Sequence, residues 1–396
     1  MRHWIVEIPS LIVLLNALYA GLLVWLLHRR EPYLRFLAMV AMAWMAMMCG
    51  LMLVQIGAPL SWEPFLRRWF YFPLGVEMVW NLLFLPALTP VIALVALALR
   101  LFGPVAREEK PAMPAGLSRR KFIRLVAVGA APSAALGMGV HGSLTSHDLR
   151  AREFRVPVAG LPPELEGFKI AHISDLHSGI FCGPARLRII REMSNDLKAD
   201  LVAITGDIIN RDMAEFPDAR ASILGIGSRY GTYLCEGNHD RIPGPGLMAK
   251  ACGQSHLPFL FNANAIIPVN GRRIILGGLP WMNSGFEGKT EWVSRLFPER
   301  REGDVRILLA HHPHLFDIAQ SADLVLSGHT HGGQIMVGES AGLGPLFFKY
   351  WSGFYRRGQT VLIVSNGCGD WFPCRVGAPA EVGLLTLSAA KREKEV

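Results

Sequence analysis

Paired cysteines are missing from this sequence. Cys49, Cys182, Cys235, Cys252, Cys368 and Cys374 form no CxxC spacing, which excludes both a disulfide-framed miniature fold and a thiolate zinc knuckle. Cys368 and Cys374 are near enough to pair in an oxidising compartment, but buried or loop thiols are the favoured reading. No basic cluster is interleaved with aromatic residues, so the net charge of +8 is no nucleic-acid footprint and no nucleic-acid partner is expected. Internal repeats and long low-complexity segments are also absent. Charge itself is scarce over the first hundred residues, which are mostly Leu, Ala, Met, Val and Trp. That segment accounts for the 51% apolar fraction and the mean hydropathy of +0.29.

In place of charge there are long apolar runs. Trp4 to Leu27 is nearly continuous, interrupted near its start by Glu7, Pro9 and Asn16, and Leu34 to Ile56 carries no charge beyond Arg35. Trp69 to Phe102 is broken by Glu77, Asn81, Pro86 and Pro90, but its stretch from Val79 to Leu101 is long enough to span. A hydrocarbon core of roughly 30 Å takes about 20 residues, so residues 1–102 are expected to hold about three transmembrane helices. The WFYFP cluster before the third run, and Glu77 beside it, suit the membrane interface. Arg29, Arg30 and Arg35 mark one cytoplasmic loop, and the basic stretch 103–124 marks a second, a cytoplasmic linker.

That linker contains SRRKFIR, residues 118–124, followed by a Gly- and Ala-rich apolar segment at 125–141. Arg119 and Arg120 read either as a twin-arginine export motif or as the positive flank of a further span. The 125–141 segment is accordingly a fourth crossing or a signal-like segment, and both readings put the remainder across the membrane. The expectation is a multi-pass inner-membrane protein whose second part, residues 155–390, is an extracytoplasmic domain, with a charged tail at 391–396.

From Arg155 onward short apolar runs alternate with turn clusters. Strands are expected at Lys169–Ile173, Leu201–Thr205, Gly231–Cys235, Arg273–Gly277, Arg306–Ala310, Leu324–Leu326 and Thr360–Val364, and a helix at Arg186–Leu197. Strands alternating with helices define an α/β domain. Its chemistry sits where strands end. KIAHI runs into Asp175 and His177, LVAIT into Asp207, and GTYLC into Asn238, His239 and Asp240. RILLA runs into His311 and His312, and DLVLS into His329 and His331. Groups at the carboxyl ends of strands converge on one crevice. Asp-x-His and His-x-His would place two side chains on one side of an extended segment. Carboxylate, imidazole and amide ligands suit Mn, Fe, Zn or similar ions.

The series DLH, GD, GNHD, H and GHTH resembles the calcineurin-like metallophosphoesterases over about residues 165–390. The resemblance implies an α/β/β/α sandwich with two divalent metal ions at the strand ends. By motif, Asp175, His177 and His331 would hold one ion, Asn238, His311 and His329 the other, and Asp207 would bridge them. His239 would face the leaving oxygen as a catalytic group, with Asp240 orienting its ring. His312 reads as structural. The loop GGLPWMNSGFEG, with Trp281 and Met282, is either a core cover or a substrate-facing apolar wall. Arg375 and its neighbouring glycines are expected near the cleft.

The expected function is a membrane-anchored phosphoesterase that cleaves a phosphodiester or pyrophosphate bond with a two-metal-activated hydroxide. Its partners would be the membrane and a phosphate-ester substrate of the lipid-linked or envelope-derived kind. The alternatives are a cytoplasm-facing lipid-sugar nucleotide pyrophosphatase of the UDP-2,3-diacylglucosamine type and a non-catalytic membrane sensor.

Overall fold

The computed structural model describes residues 131–390, apart from 147, 283, 286, 287, 339, 340 and 371–373. The expected spans of 1–102, the linker 103–124 with its paired arginines, the start of the 125–141 segment and the tail 391–396 lie outside the described residues. The chain divides into two compact units, Met1–Leu144 and Thr145–Val396. The described end of the first unit is helical, within α1 (Ala131–Thr145). Among the described residues no helix is long and apolar enough to cross a membrane.

The second unit runs β1 (Leu149–Val158), β2 (Lys169–Ile173), α2 (Pro184–Asp196), β3 (Leu201–Thr205), α3 (Phe216–Leu224), β4 (Thr232–Cys235) and α4 (Leu247–Gln254). It continues through β5 (Ala263–Val269), β6 (Arg272–Gly278), α5 (Thr290–Ser294), β7 (Val305–Leu309) and β8 (Leu324–Ser327). Last come β9 (Met336–Val337), β10 (Ala341–Gly342), α6 (Gly344–Phe347), β11 (Gly353–Arg357), β12 (Thr360–Val364) and β13 (Ala380–Ala389). One sheet has the order β1-β13-β2-β3-β4 and the other β11-β12-β8-β7-β6-β5. Within them β2, β3 and β4 are parallel, as are β6, β7, β8 and β12.

The central strands read as unbroken apolar runs because both of their faces are covered. Leu201 and Ala203 of β3 face a core shared with Leu276, Ile307, Leu309, Leu326 and Ile363 of the other sheet. Val202 and Ile204 face the opposite way, against Leu187 and Ile190 of α2 and Ala219 and Ile223 of α3. On the far side, Ile275, Leu308, Val325 and Leu362 pack against Val293, Leu296, Leu315 and Phe316. The layers are therefore α/β/β/α, and each buried Leu or Ile contributes about 1.5–3 kcal/mol relative to exposure. Helix α2 begins with Pro184 just after Gly183 and buries Leu187, Ile190 and Ser194, one face at helical spacing. It stops where Lys198 turns left-handed, at φ 48°.

Strand β1 begins ahead of residue 155 and pairs in parallel with β13 from Leu149. Its sequence LRAREFRVPV buries only Val156 and Val158, so the earlier half carries no apolar alternation to read. Cys368 and Cys374 are both buried.

Candidate metal centre

Where the parallel strands end, the backbone turns into the left-handed region. Asp175, His177, Asp207, His329 and His331 have φ of 55°, 44°, 52°, 74° and 50°. Such a conformation costs a non-glycine residue on the order of 1–3 kcal/mol and persists only where neighbours enforce it. Here Asp175 N–H donates to the Gly206 carbonyl at 3.1 Å and His177 N–H to the Asp207 carbonyl at 2.9 Å. His329 N–H, from the other sheet, donates to both Asp175 carboxylate oxygens at 3.1 Å. Gly237 must be glycine, since a Cβ there would collide with the backbone nitrogen and carboxylate of Asp207.

These turns correct the strand-alternation argument for Asp-x-His and His-x-His. The residues lie beyond their strands, and the left-handed steps send His329 and His331 to different groups. Asp175, His177 and His331 form one cluster and Asp207, His311 and His329 another, with ligand atoms in each within 4.8 Å of one another. Asp207 stands between them, its Oδ2 3.5 Å from His177 Nε2 and 3.2 Å from His311 Nε2. In the first cluster His331 Nε2 is 3.2 Å from Asp175 Oδ1 and 3.1 Å from His177 Nε2. In the second, Asn238 Oδ1 is 3.2 Å from His311 Nε2.

The donor set fits divalent cations. His311 Nδ1 lies 2.6 Å from the Thr205 carbonyl oxygen, which can only accept, so that nitrogen carries the proton. Its Nε2 then faces two more acceptors, Asn238 Oδ1 and Asp207 Oδ2, and the point where they converge calls for a positive charge. Burial opposes charge on His311, yet Asp207 and Asp175 push its pKa up to about 10. By contrast, burial holds His177 and His329 well below the usual histidine range, leaving both as neutral imidazoles. Burial would raise Asp175 and Asp207, but the surrounding histidines keep both carboxylates ionised. Neutral imidazoles, ionised carboxylates and an amide oxygen are the protonation states a divalent site requires.

His239 is half-buried and falls with His177 and Asp207 in a third group of donors within 4.8 Å of one another. Its N–H donates to Asp207 Oδ1 at 2.8 Å, and its ring meets that of His177 edge-on, with centroids 4.6 Å apart. The ring's orienting partner is the Asn210 carbonyl oxygen, 2.5 Å from Nδ1, which leaves Nε2 for chemistry. Asp240 does not orient it, contrary to the expectation. That carboxylate is fully buried and accepts from Ile208 N–H at 2.8 Å, Ile209 N–H at 3.2 Å and Gly237 N–H at 2.9 Å. It ties together the loops after β3 and β4. Burial and the charge of Asp207 raise its pKa to about 7. Asn210 left no sequence signal because it acts through its main chain.

Trp281 packs beside the second cluster, its ring 4.8 Å from His329 and 5.2 Å from His312, and is only 8% exposed. It therefore covers the histidines. His312 stacks on His329 and its Nδ1 accepts from His314 N–H at 3.2 Å, capping the following turn. Burial lowers its pKa to about 3, as suits a structural imidazole.

Residues 168–333 match the calcineurin-like phosphoesterase family. The chain is 30% identical over 294 residues to the uncharacterized metallophosphoesterase YkuE of Bacillus subtilis, covering 69% of this chain and 98% of that protein. It is 27% identical over 283 residues to the phosphodiesterase YaeI of Escherichia coli, covering 68% and 99% respectively. A Bos taurus transmembrane protein with metallophosphoesterase domain is 30% identical over 251 residues, 59% of this chain and 56% of its own length. Several curated relatives are longer, and the chain spans about half the length of those from Bos taurus, Caenorhabditis elegans and Danio rerio. With the ligand-bearing strand ends of one sheet meeting those of the other, this chain belongs to the calcineurin-like metallophosphoesterases, a family of phosphoester hydrolases.

Proposed function

We propose that this chain is a membrane-anchored phosphodiesterase or pyrophosphatase that works with two divalent cations. One would be held by Asp175, His177 and His331, the other by Asn238, His311 and His329, with Asp207 shared. The observation that carries this reading is the position of Asp207 Oδ2, within 3.5 Å of His177 Nε2 and 3.2 Å of His311 Nε2. Bound cations would supply charge neutralisation for the phosphate oxygens and an acidified water. The chain's own contribution is positional. Asn210 fixes the ring of His239, whose Nε2 is placed to protonate or stabilise the leaving oxygen. A diester preference follows from that free imidazole and is supported by the phosphodiesterase name of the Escherichia coli relative.

Anchoring is supported by the apolar runs of residues 1–102 and by relatives named as transmembrane proteins in Bos taurus and Danio rerio. The basic segment around Arg119 and Arg120 favours an extracytoplasmic catalytic domain, with lipid-linked or envelope-derived phosphate esters as substrates. The test is hydrolysis of bis(p-nitrophenyl) phosphate by the purified full chain with added Mn. Inactivity of the Mn-loaded chain on diesters, monoesters and pyrophosphates alike would refute the reading. A C-terminal reporter active on only one side of the membrane decides sidedness.

A further inference from the structure

Arg375 is among the largest fully buried side chains, and its guanidinium is satisfied almost entirely by one loop. Nε donates to Asp370 Oδ1 at 2.6 Å, and Nη1 to the Asn366 carbonyl at 2.8 Å and the Ala378 carbonyl at 3.3 Å. Nη2 donates to the Gly369 carbonyl at 2.7 Å and the Gly367 carbonyl at 3.4 Å. The same Nη2 lies 3.1 Å from Nδ1 of His331. The guanidinium therefore stands against the back of the His331 ring and limits its rotation, with Nε2 aimed at Asp175. The clamped loop also reaches Asp175 directly. Cys368 N–H donates to the Ser174 carbonyl at 3.0 Å, and Gly369 N–H to the Asp175 carbonyl at 2.9 Å.

These ties end on the Asp175, His177 and His331 cluster, and none of them touches His311, His329 or Asn238 directly. We infer that Arg375 is a positioning residue for one of the two cation sites, holding His331 by its ring and Asp175 through the 366–370 loop. The inference rests on the two-cation reading above.

The experiment is metal titration of the chelated full chain with Mn, with ions counted per chain by atomic emission and folding followed by thermal denaturation. Wild type is expected to bind two equivalents. Arg375→Met should keep one at unchanged affinity and weaken the other by about 10- to 100-fold, the usual cost of losing a partner behind a metal ligand. The weakening should be smaller in a His331→Ala background, where only the path through the 366–370 loop to Asp175 remains, and should leave no tight ion in a His311→Ala background. Arg375→Lys should recover part of the loss. Should Arg375→Met fail to fold, Asp370→Asn, which loosens only the Nε anchor, is expected to weaken the same ion to a lesser degree. Two ions bound by the folded variants as in wild type, or both weakened equally, would overturn the inference. A wild type that binds no metal would instead overturn the two-cation reading.

Discussion

His311 Nε2 lies 3.2 Å from Asp207 Oδ2 while its Nδ1 is engaged by the Thr205 carbonyl oxygen at 2.6 Å. With Nδ1 committed, Nε2 answers the carboxylate either with a proton or with a cation. Metal uptake is therefore expected to release a proton from His311, whose pKa stands at about 10 without metal. Calorimetric titration with Mn at pH 8, in buffers of differing ionisation enthalpy, should show that release, and His311→Ala should abolish it. Equal apparent enthalpies across the buffers would contradict it.

Asp207 serves both clusters, so its loss should be felt twice. Asp207→Asn is expected to lower kcat by well over the roughly 100-fold that partners behind a ligand cost, and to weaken both ions. Paired measurements of kcat and metal content test this. Loss of a single ion would show that the carboxylate is not shared.

His239 should act on the leaving group without holding the metals in place. His239→Ala is expected to keep its metal content and to lose about 10²- to 10⁴-fold in kcat on an alkyl diester, the usual contribution of a positioned acid. With a nitrophenolate leaving group, which needs no proton, the loss should be much smaller. Equal losses on both substrates would remove His239 from the leaving-group role.

Asp240 should prove structural. Asp240→Ala strands three buried N–H groups, those of Ile208, Ile209 and Gly237, and is expected to cost roughly 3 kcal/mol or more of stability. Denaturant midpoints measure the cost. A variant of unchanged stability that lacks activity would restore Asp240 to a catalytic part.

His172 links stability to acid. Burial lowers its pKa to about 4, against a nearby Asp175 that partly offsets the effect, and its Nε2 lies 2.8 Å from Thr205 Oγ1. The unfolded chain binds this proton below about 6.5. The folded chain resists it until about 4. Stability is therefore expected to fall as pH drops from 6.5 towards 4, by up to about 3 kcal/mol for this one group. In urea titrations of the chelated protein, His172→Gln should show a correspondingly shallower decline. An identical decline would assign the acid sensitivity elsewhere.

The candidate ligands were legible because strand ends announce themselves. KIAHI, LVAIT and DLVLS are short, largely apolar and almost wholly buried, and Asp175, Asp207 and His329 follow within a few residues. The route by which those side chains converge was not legible, because it depends on left-handed steps rather than on strand alternation. Asp240 was misread because GNHD places it beside His239 in sequence, whereas the turn directs the two apart. Strand β1 was hidden by its charges, Arg150, Arg152, Glu153 and Arg155, which stay partly or fully exposed although the backbone is paired with β13. Arg375 could be placed near the cleft but not given a task, since its partners are mainly carbonyl oxygens of a loop with no side-chain signature.

The positive-φ backbone at Asp175, His177, Asp207, His329 and His331 sets stability against reactivity at these five positions. Glycine at any one of them would relieve the local backbone strain while removing a donor atom, and at Asp175 or Asp207 it would also strand the N–H of His329 or His239. A chain that keeps all five residues carries a standing backbone cost alongside the donors they supply.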